Sequence, residues 1–276
     1  MLLGAHLRRL REEAGLSREE AGWEIRASES KISRMELGRV SFKERDVADL
    51  LTLYGVTGEE RDTLLARVRD ANSLPWWQPY SDITPNWFQR YLGLEMTATL
   101  IRSYEVQFVP GLLQTEDYAR AVVRLGHGGA RDEEIERRVR LRLERQQVLS
   151  RPDPPKFWAV VDEAALRRPV GGKRVMRDQL ETLIEVVSKQ RHVQLQVVPL
   201  SVGGHAAAGG SFTILRFPHD ELPDVVYVEQ LTSALYLDKR EDVEKYFDAV
   251  NRLYVKAAPP DQTVDILTGI IKDLRR

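Results

Sequence analysis

Apolar residues recur every three or four positions through the first 72 residues, which is the spacing of one face of an α-helix. The pattern predicts five helices: residues 2–14, residues 18–25, residues 29–37, and two more that contain Leu50 and Leu65. The faces expected to form the core carry Leu3, Leu7, Leu10, Ile32, Met35, Val47, Leu50, Leu51, Tyr54, Leu64, Leu65 and Val68. A helical N-terminal domain over residues 1–72 is therefore predicted.

Capping residues bound the second and third of these helices. Ser17, with Glu20 three positions on, forms the S-x-x-E pattern of a capping box, and Ser28 is a second N-cap. Gly38 is placed to end the third helix. The pattern predicts two short helices joined by a tight turn, with the second helix fitted to lie in a DNA groove.

The polar side of the third predicted helix carries residues suited to reading DNA. Glu29 and Ser30 can reach base edges from its first turn, and Arg34 can bind a guanine through two hydrogen bonds. Four cations are expected to contact phosphates, namely Arg18, Lys31, Arg39 and Lys43.

Residues 3–55 resemble the Xre or lambda-repressor-like helix-turn-helix family. The resemblance is carried by G-L-S-R-E-E-A from Gly15 and by S-E-S-K-I-S-R-M-E-L-G-R from Ser28. It implies base contacts at the three positions just named, a homodimer, and a structural ion pair between Arg11 and Glu36. The chain departs from the family at a turn position that is often glycine, here Arg26, and at a usually polar site, here Trp23.

A compact helical module that uses the same packing for protein contacts is the alternative. The first 72 residues hold 13 Lys and Arg against 14 Asp and Glu, so the domain is not strongly basic. DNA affinity then requires local clustering of cations or two copies acting together.

Residues 73–86, S-L-P-W-W-Q-P-Y-S-D-I-T-P-N, are predicted to connect two domains. Their three prolines disfavour a helix, and Trp76 and Trp77 are too large to remain in water without a packing partner. We expect the two indoles to dock on one domain and to fix the angle between the two domains.

Within residues 87–276, the spacing of apolar residues changes after Pro155 from that of a helix to the alternation of a strand. Helices are predicted over 87–98, after Thr115, and over 132–149, 176–187, 241–255 and 264–274. Strands are predicted over 157–161, 193–200, 212–217 and 225–229, with a short fifth at 235–237. The order predicts an α+β domain with a small mixed sheet covered by helices.

The predicted helix over 132–149 is rich in arginine, with Arg137, Arg138, Arg140, Arg142 and Arg145. A DNA-binding patch is one interpretation of this face. Interleaved glutamates favour the other interpretation, a solvated face of ion pairs.

A second resemblance covers this region. P-G-L-L-Q-T-E-D-Y-A from Pro110, D-E-A-A-L-R-R-P-V-G from Asp162, G-S-F from Gly210 and Y-V-E from Tyr227 occur in that order. They resemble the C-terminal domain of a regulator family abundant in actinomycetes, whose members are described as antitoxin-like. The resemblance implies a small partner protein encoded nearby.

The amino-acid composition excludes several classes of protein and of functional site. The chain has 276 residues, of which 42% are hydrophobic and 30% are charged, with a net charge of −1. These values exclude a polybasic nucleic-acid coat and a disordered acidic tail. The absence of cysteine excludes disulfides, thiol catalysis and cysteine metal sites. No signal peptide or membrane-spanning run is present, so we expect a cytoplasmic protein without membrane contact.

Carboxylates at predicted strand ends, Asp162, Glu163 and Glu229, are the candidates for acid–base chemistry. No histidine, lysine or hydroxyl stands at a spacing that completes a mechanism, so no catalytic residue, metal site or cofactor is predicted. An enzyme with an appended helix-turn-helix is an alternative, and it predicts turnover that is lost in Asp162→Asn or Glu229→Gln. The glycine-rich segment 203–210 is either a mobile lid or a flexible hairpin loop.

These patterns predict a sequence-specific DNA-binding transcriptional regulator that binds a double-stranded operator as a homodimer. Its C-terminal domain is expected to mediate dimerisation and to respond to a small partner protein or a ligand. The alternative is an antitoxin-like protein whose main role is to bind a small partner protein, with DNA binding for autoregulation.

Overall fold

A computed structural model describes residues 2–36, 38, 40–72, 74–207, 209–218 and 223–275. These residues form two compact units, one that ends at Trp76 and one that begins at Trp77. No helix in this part of the chain is long and apolar enough to cross a membrane. The finer division into residues 1–72, a connector over 73–86 and a domain over 87–276 stays a prediction.

Helices alone build the described part of the N-terminal unit. They are α1 (Leu2–Glu13), α2 (Arg18–Glu24), α3 (Glu29–Glu36), α4 (Glu44–Leu53) and α5 (Gly58–Asn72). They enclose one apolar core, in which Leu7, Ile32 and Leu51 are each at most 2% exposed. Of the side chains expected from the apolar spacing to form this core, Tyr54 and Leu65 are half-buried and pack against it, and the others are buried. The five-helix prediction is therefore confirmed.

The C-terminal unit is built on a six-stranded mixed sheet, counted over the described residues. Its strands are β1 (Leu100–Glu105), β2 (Lys156–Asp162), β3 (Val193–Val198), β4 (Phe212–Arg216), β5 (Val225–Glu229) and β6 (Ala234–Leu237). The order is β3-β2-β1-β4-β5-β6, with β1, β2 and β3 parallel and the other pairings antiparallel. The carboxyl ends of β1, β2, β3 and β5 therefore lie at one edge of the sheet.

Helices cover both faces of this sheet. They are α6 (Asn86–Thr97), α7 (Glu116–Gly126), α8 (Asp132–Arg145), α9 (Glu163–Arg167), α10 (Lys173–Lys189), α11 (Arg240–Lys256) and α12 (Thr263–Leu274). Val250 and Leu253 of α11 pack in one apolar cluster with Tyr104 of β1. Side chains alternate along a strand, so Phe157 and Ala159 of β2 point to the opposite face, where they too are buried. The predicted fold class, a helical N-terminal domain and an α+β domain with a mixed sheet, is confirmed.

Strand β1 was not predicted, although it lies in the middle of the sheet. Its sequence L-I-R-S-Y-E lacks a clean apolar alternation because Arg102 occupies a position that faces α11. The guanidinium of Arg102 lies over the rings of Trp158, Phe247 and Tyr254, at 5.3–5.8 Å from their centroids. Cation–π contacts of this kind allow a charged side chain to occupy a sheet face. Because the three rings are remote from Arg102 in sequence, the local pattern of residues does not indicate this strand.

The segment after Trp77 is held by α8. Tyr80 donates a hydrogen bond to Glu144 at 2.7 Å, and Arg137 donates to Asp82 at 2.7 Å. Trp76 and Trp77 are half-buried, and a Cβ at Gly93 in α6 would lie 3.6 Å from the ring of Trp77. The expectation that the two indoles set the angle between the units stays a prediction.

Candidate nucleic-acid interface

Helix α2 begins with the capping box that the sequence predicts. The hydroxyl of Ser17 accepts a hydrogen bond from the backbone N–H of Glu20 at 3.1 Å. In return, the carboxylate of Glu20 accepts from the backbone N–H of Ser17 at 2.7 Å. These bonds satisfy N–H groups that have no partner inside the helix, and they fix where α2 starts.

The turn between α2 and α3 is tight despite the arginine at its centre. Arg26 adopts a left-handed backbone conformation with φ of 52°, which glycine adopts more easily. The N–H of Ala27 donates to the carbonyl of Gly22 at 2.8 Å. A Cβ on Gly22 would lie 2.7 Å from the carbonyl oxygen of Ala27, so the close return of the chain requires glycine here.

Helix α3 has one buried face and one exposed face. Ser28 caps it by accepting a hydrogen bond from the N–H of Lys31 at 3.3 Å. Ile32 and Met35 are 1% exposed and belong to the core. The three residues predicted to contact bases, Glu29, Ser30 and Arg34, are all exposed. Their base contacts stay a prediction, but α3 presents all three side chains to solvent.

The carboxyl end of α3 is anchored by a buried ion pair. Arg11 of α1 donates from Nε to Glu36 Oε1 at 2.6 Å, and the two side chains are 7% and 3% exposed. This hydrogen bond and the charge of Glu36 raise the pKa of Arg11 against the opposing effect of burial. A Cβ on Gly4 would lie 2.3 Å from the carbonyl oxygen of Met35, so α1 touches the backbone of α3. These contacts hold α3 in a fixed orientation.

The cations predicted to contact phosphates differ in their surroundings. Arg18 donates to Glu36 at 2.9 Å, and Lys31 donates to Asp46 at 2.7 Å. Lys43 is exposed at the start of α4 and, within the described residues, has no ion-pair partner. Arg39 lies outside the described residues. Among the three candidates that the structure describes, Lys43 is the one without an internal ion-pair partner, and its phosphate contact stays a prediction.

Two exposed cations near helix starts were not among the predicted phosphate contacts. Arg26 precedes α3, and Arg45 is the second residue of α4, with its side chain 87% exposed. Neither occupies a position at which the family resemblance implies a phosphate contact; Arg26 stands at the turn position that is often glycine. The signal that can identify such residues is their distance from a helix N-terminus, where backbone N–H groups also attract phosphate.

The arginine-rich face of α8 is only in part the ion-pair face that the sequence favours: Arg138 pairs with Glu134 of the same helix at 2.7 Å, whereas other arginines have partners elsewhere. Arg145 pairs with Glu95 of α6 at 2.6 Å, and these side chains are 13% and 2% exposed. Arg142 donates to Gln114 at 2.7 Å, and burial together with the charge of Arg145 lowers its pKa to about 10. The partners of Arg142 and Arg145 lie outside α8, so the spacing of glutamates along this helix cannot reveal them.

Comparison with known protein families bears on both units. Residues 88–269 match the family described as a domain of unknown function, DUF5753, and the match spans well over half of the chain. The chain belongs to the DUF5753 family. Residues 2–64 match a helix-turn-helix domain, which indicates DNA binding and transcription regulation and is typical of non-enzymatic proteins. No curated protein and no solved structure matches the chain.

Within the DUF5753 region, the carboxylates considered for acid–base chemistry have structural partners. Asp162 caps α9 by accepting a hydrogen bond from the N–H of Ala164 at 2.8 Å. Glu163 accepts from the N–H of Leu200 at 2.9 Å. Glu229 accepts from the hydroxyl of Tyr227 at 2.8 Å. Each of the three carboxylates thus forms a structural hydrogen bond through one of its two oxygens.

The DUF5753 region also brings together three polar residues that are far apart in sequence. Nε2 of His205 lies 2.9 Å from the hydroxyl of Tyr104 and 3.9 Å from Oδ2 of Asp162. Burial and the charge of Asp162 raise the pKa of Tyr104 to about 12, so this phenol stays protonated. Sequence spacing could not have placed His205 here, because the three residues meet only when the carboxyl ends of β1, β2 and β3 share one sheet edge.

Proposed function

We propose that the chain is a sequence-specific regulator of transcription that reads an operator with α3. The observation that carries the proposal is the exposure of Glu29, Ser30 and Arg34 on a helix whose other face is buried. An α-helix fits the major groove of B-DNA, and each of these residue types has donors or acceptors that match base edges there. Arg34 uses only Nε internally, donating to the carbonyl of Ser30 at 3.3 Å. Its two terminal amino groups are the pair suited to a guanine.

Phosphate contacts position the helix in this proposal. Lys43 contributes a full charge at no internal cost, since it has no ion-pair partner among the described residues. Arg18 and Lys31 contribute if phosphate shares them with Glu36 and Asp46, their internal partners. Arg39 is proposed for the same role from its place in the sequence. Backbone N–H groups at the starts of α2 and α3 add to the phosphate contacts.

Two copies are proposed to bind one two-fold operator, as is usual in the Xre-like family that the N-terminal sequence resembles. With 13 Lys and Arg against 14 Asp and Glu in the first 72 residues, one copy has little net attraction for DNA. A dimer doubles the contacts and places the two α3 helices about 34 Å apart, one turn of the duplex. The C-terminal domain is proposed to mediate dimerisation and to respond to a small partner protein or a ligand, as its resemblance to antitoxin-like regulators suggests.

Mapping of genomic binding sites with the full-length chain tests this proposal. We expect a two-fold symmetric motif whose half-sites are one helical turn apart. The matched control replaces Glu29, Ser30 and Arg34 by alanine; since these side chains are exposed, the variant should fold and lose the motif. A single half-site would contradict the dimer. Absence of any preferred site, with capture of the product of the neighbouring gene, would instead support the antitoxin-like alternative.

A further inference from the structure

An open groove of about 690 Å³ lies between the glycine-rich segment after β3 and the last turns of α11. Gly204, His205 and Ala206 line one side, and Asn251, Val255 and Lys256 line the other. The volume is in the range of small-ligand sites, roughly 300–1,000 Å³. Nothing in the helix-turn-helix proposal uses this groove.

One apolar side chain in the groove lacks the cover that such residues usually have. Val255 is 86% exposed on α11, although its neighbours Leu253 and Ala257 are buried in the core. The backbone of Gly204 and the methyl group of Ala206 continue the apolar surface. A ligand with an apolar body would remove this surface from water.

The polar groups of the groove are all suited to an anion. Lys256 donates to the carbonyl of Gly204 at 3.0 Å, which places its ammonium group at the groove. Arg252 is paired with Asp248 one turn back at 3.0 Å, but its side chain is 66% exposed. The side chains lining the groove include no carboxylate. Two cations and the amide of Asn251 therefore face a single space.

His205 adds a fixed imidazole. Its ring meets the ring of Tyr104 edge-on, with centroids 5.4 Å apart, and Nε2 is held by the Tyr104 hydroxyl. Nδ1 is shielded from solvent and has no hydrogen-bond partner in the part of the chain that the structure describes. The contacts with Tyr104 therefore hold the imidazole in place at the border of the groove.

We propose that this groove binds a small organic anion, a carboxylate or a phosphate ester, that carries an apolar body. The anionic group lies between Arg252 and Lys256, and the apolar body lies on Val255 and Ala206. The proposal does not depend on DNA binding, because every residue it uses belongs to the C-terminal unit.

Fluorine NMR of the full-length chain tests the proposal with three probes of similar shape: 4-fluorobenzoate, 4-fluorophenyl phosphate and neutral 4-fluorobenzamide. We expect at least one anion to bind about tenfold more tightly than the amide, the effect of one charge-assisted hydrogen bond. Arg252→Gln and Lys256→Gln should each weaken that anion about fivefold or more. Lys245→Gln, on the same helix but outside the groove, should change nothing.

A second variant guards against effects on folding. Val255→Asp replaces an 86% exposed side chain, so it should leave the thermal unfolding midpoint unchanged while its carboxylate repels the bound anion. Equal binding of amide and anions overturns the proposal, as does binding unchanged in Arg252→Gln and Lys256→Gln. Absence of anion binding at millimolar concentration also overturns it. Release of the bound anion by non-specific duplex DNA would assign the groove to phosphate contacts of DNA instead.

Discussion

Helices α3 and α8 differ in whether their arginines already have partners inside the protein. Helix α8 holds the arginine-rich face, yet Arg137 is paired with Asp82 and Arg145 with Glu95, both from other elements. Helix α3 holds only Arg34 in its exposed turns, and the terminal amino groups of Arg34 have no internal partner among the described residues. Whether a guanidinium is already occupied decides what it can bind outside the chain.

Both helices are nevertheless anchored by the same type of contact, a buried arginine–glutamate ion pair. The Arg11–Glu36 and Arg145–Glu95 pairs each have a distance of 2.6 Å, and both glutamates are at most 3% exposed. In the N-terminal unit the pair fixes the end of a helix whose other face remains open. In the C-terminal unit the pair lies beneath the rings of Phe88 and Tyr91, which completes a buried layer.

The largest expected effect is the loss of the buried pair in the C-terminal unit. Arg145→Met should lower the free energy of unfolding by about 3–5 kcal/mol, because it leaves the charge of Glu95 buried without an opposite charge beside it. Arg140→Met is the matched control on the same helix, where the side chain is exposed, and should cost less than about 0.5 kcal/mol. Urea unfolding followed by circular dichroism measures both variants. Equal losses would show that the pairing of arginines on α8 does not decide their importance.

The next largest effect is expected for Arg34, the exposed arginine of α3. Arg34→Ala should cost about 1–3 kcal/mol at the operator and should relax specificity at one base pair, because a bidentate contact to guanine is lost. Fluorescence anisotropy with operator and random duplexes measures the cost. Arg140→Ala on α8 should leave both affinities unchanged. A loss of the same size on random DNA would refute a base-reading role for Arg34.

The elements of the helix-turn-helix could be predicted because their determinants are local. Ser17 and Glu20 form a capping box within one turn, and Ile32 and Met35 mark a buried face by their own spacing. The strands β2 to β5 were predicted for the same reason, since each has a short apolar run between turn residues.

What the sequence could not reveal depends on partners that are distant along the chain. Strand β1 was missed because Arg102 packs on aromatic rings from β2 and α11. The internal partner of Lys31, Asp46, lies on another helix, so its engagement could not be inferred from the motif. The approach of His205 to Asp162 depends on the order of the strands, which periodicity does not determine.

A smaller effect concerns the turn that presents α3. Arg26→Gly should raise the free energy of unfolding by about 0.5–1 kcal/mol, since glycine adopts the left-handed conformation at φ of 52° with less strain. Arg26→Ala is the control, because alanine removes the same side chain but keeps the strain. Thermal unfolding of the two variants separates backbone strain from side-chain effects. A glycine variant no more stable than the alanine variant would contradict this account.

The smallest expected effect separates a free cation from a paired one. Lys43→Ala should weaken binding evenly on operator and random DNA and reduce the slope of log affinity against log salt by about one unit. Lys31→Ala is the matched comparison, and its slope should change less because Lys31 already neutralises Asp46 at 2.7 Å. Anisotropy titrations over a range of salt concentrations give both slopes. An unchanged slope in Lys43→Ala would show that Lys43 does not contact phosphate. A change in Lys31→Ala as large as that in Lys43→Ala would show that an internal ion pair does not keep a cation from contacting phosphate.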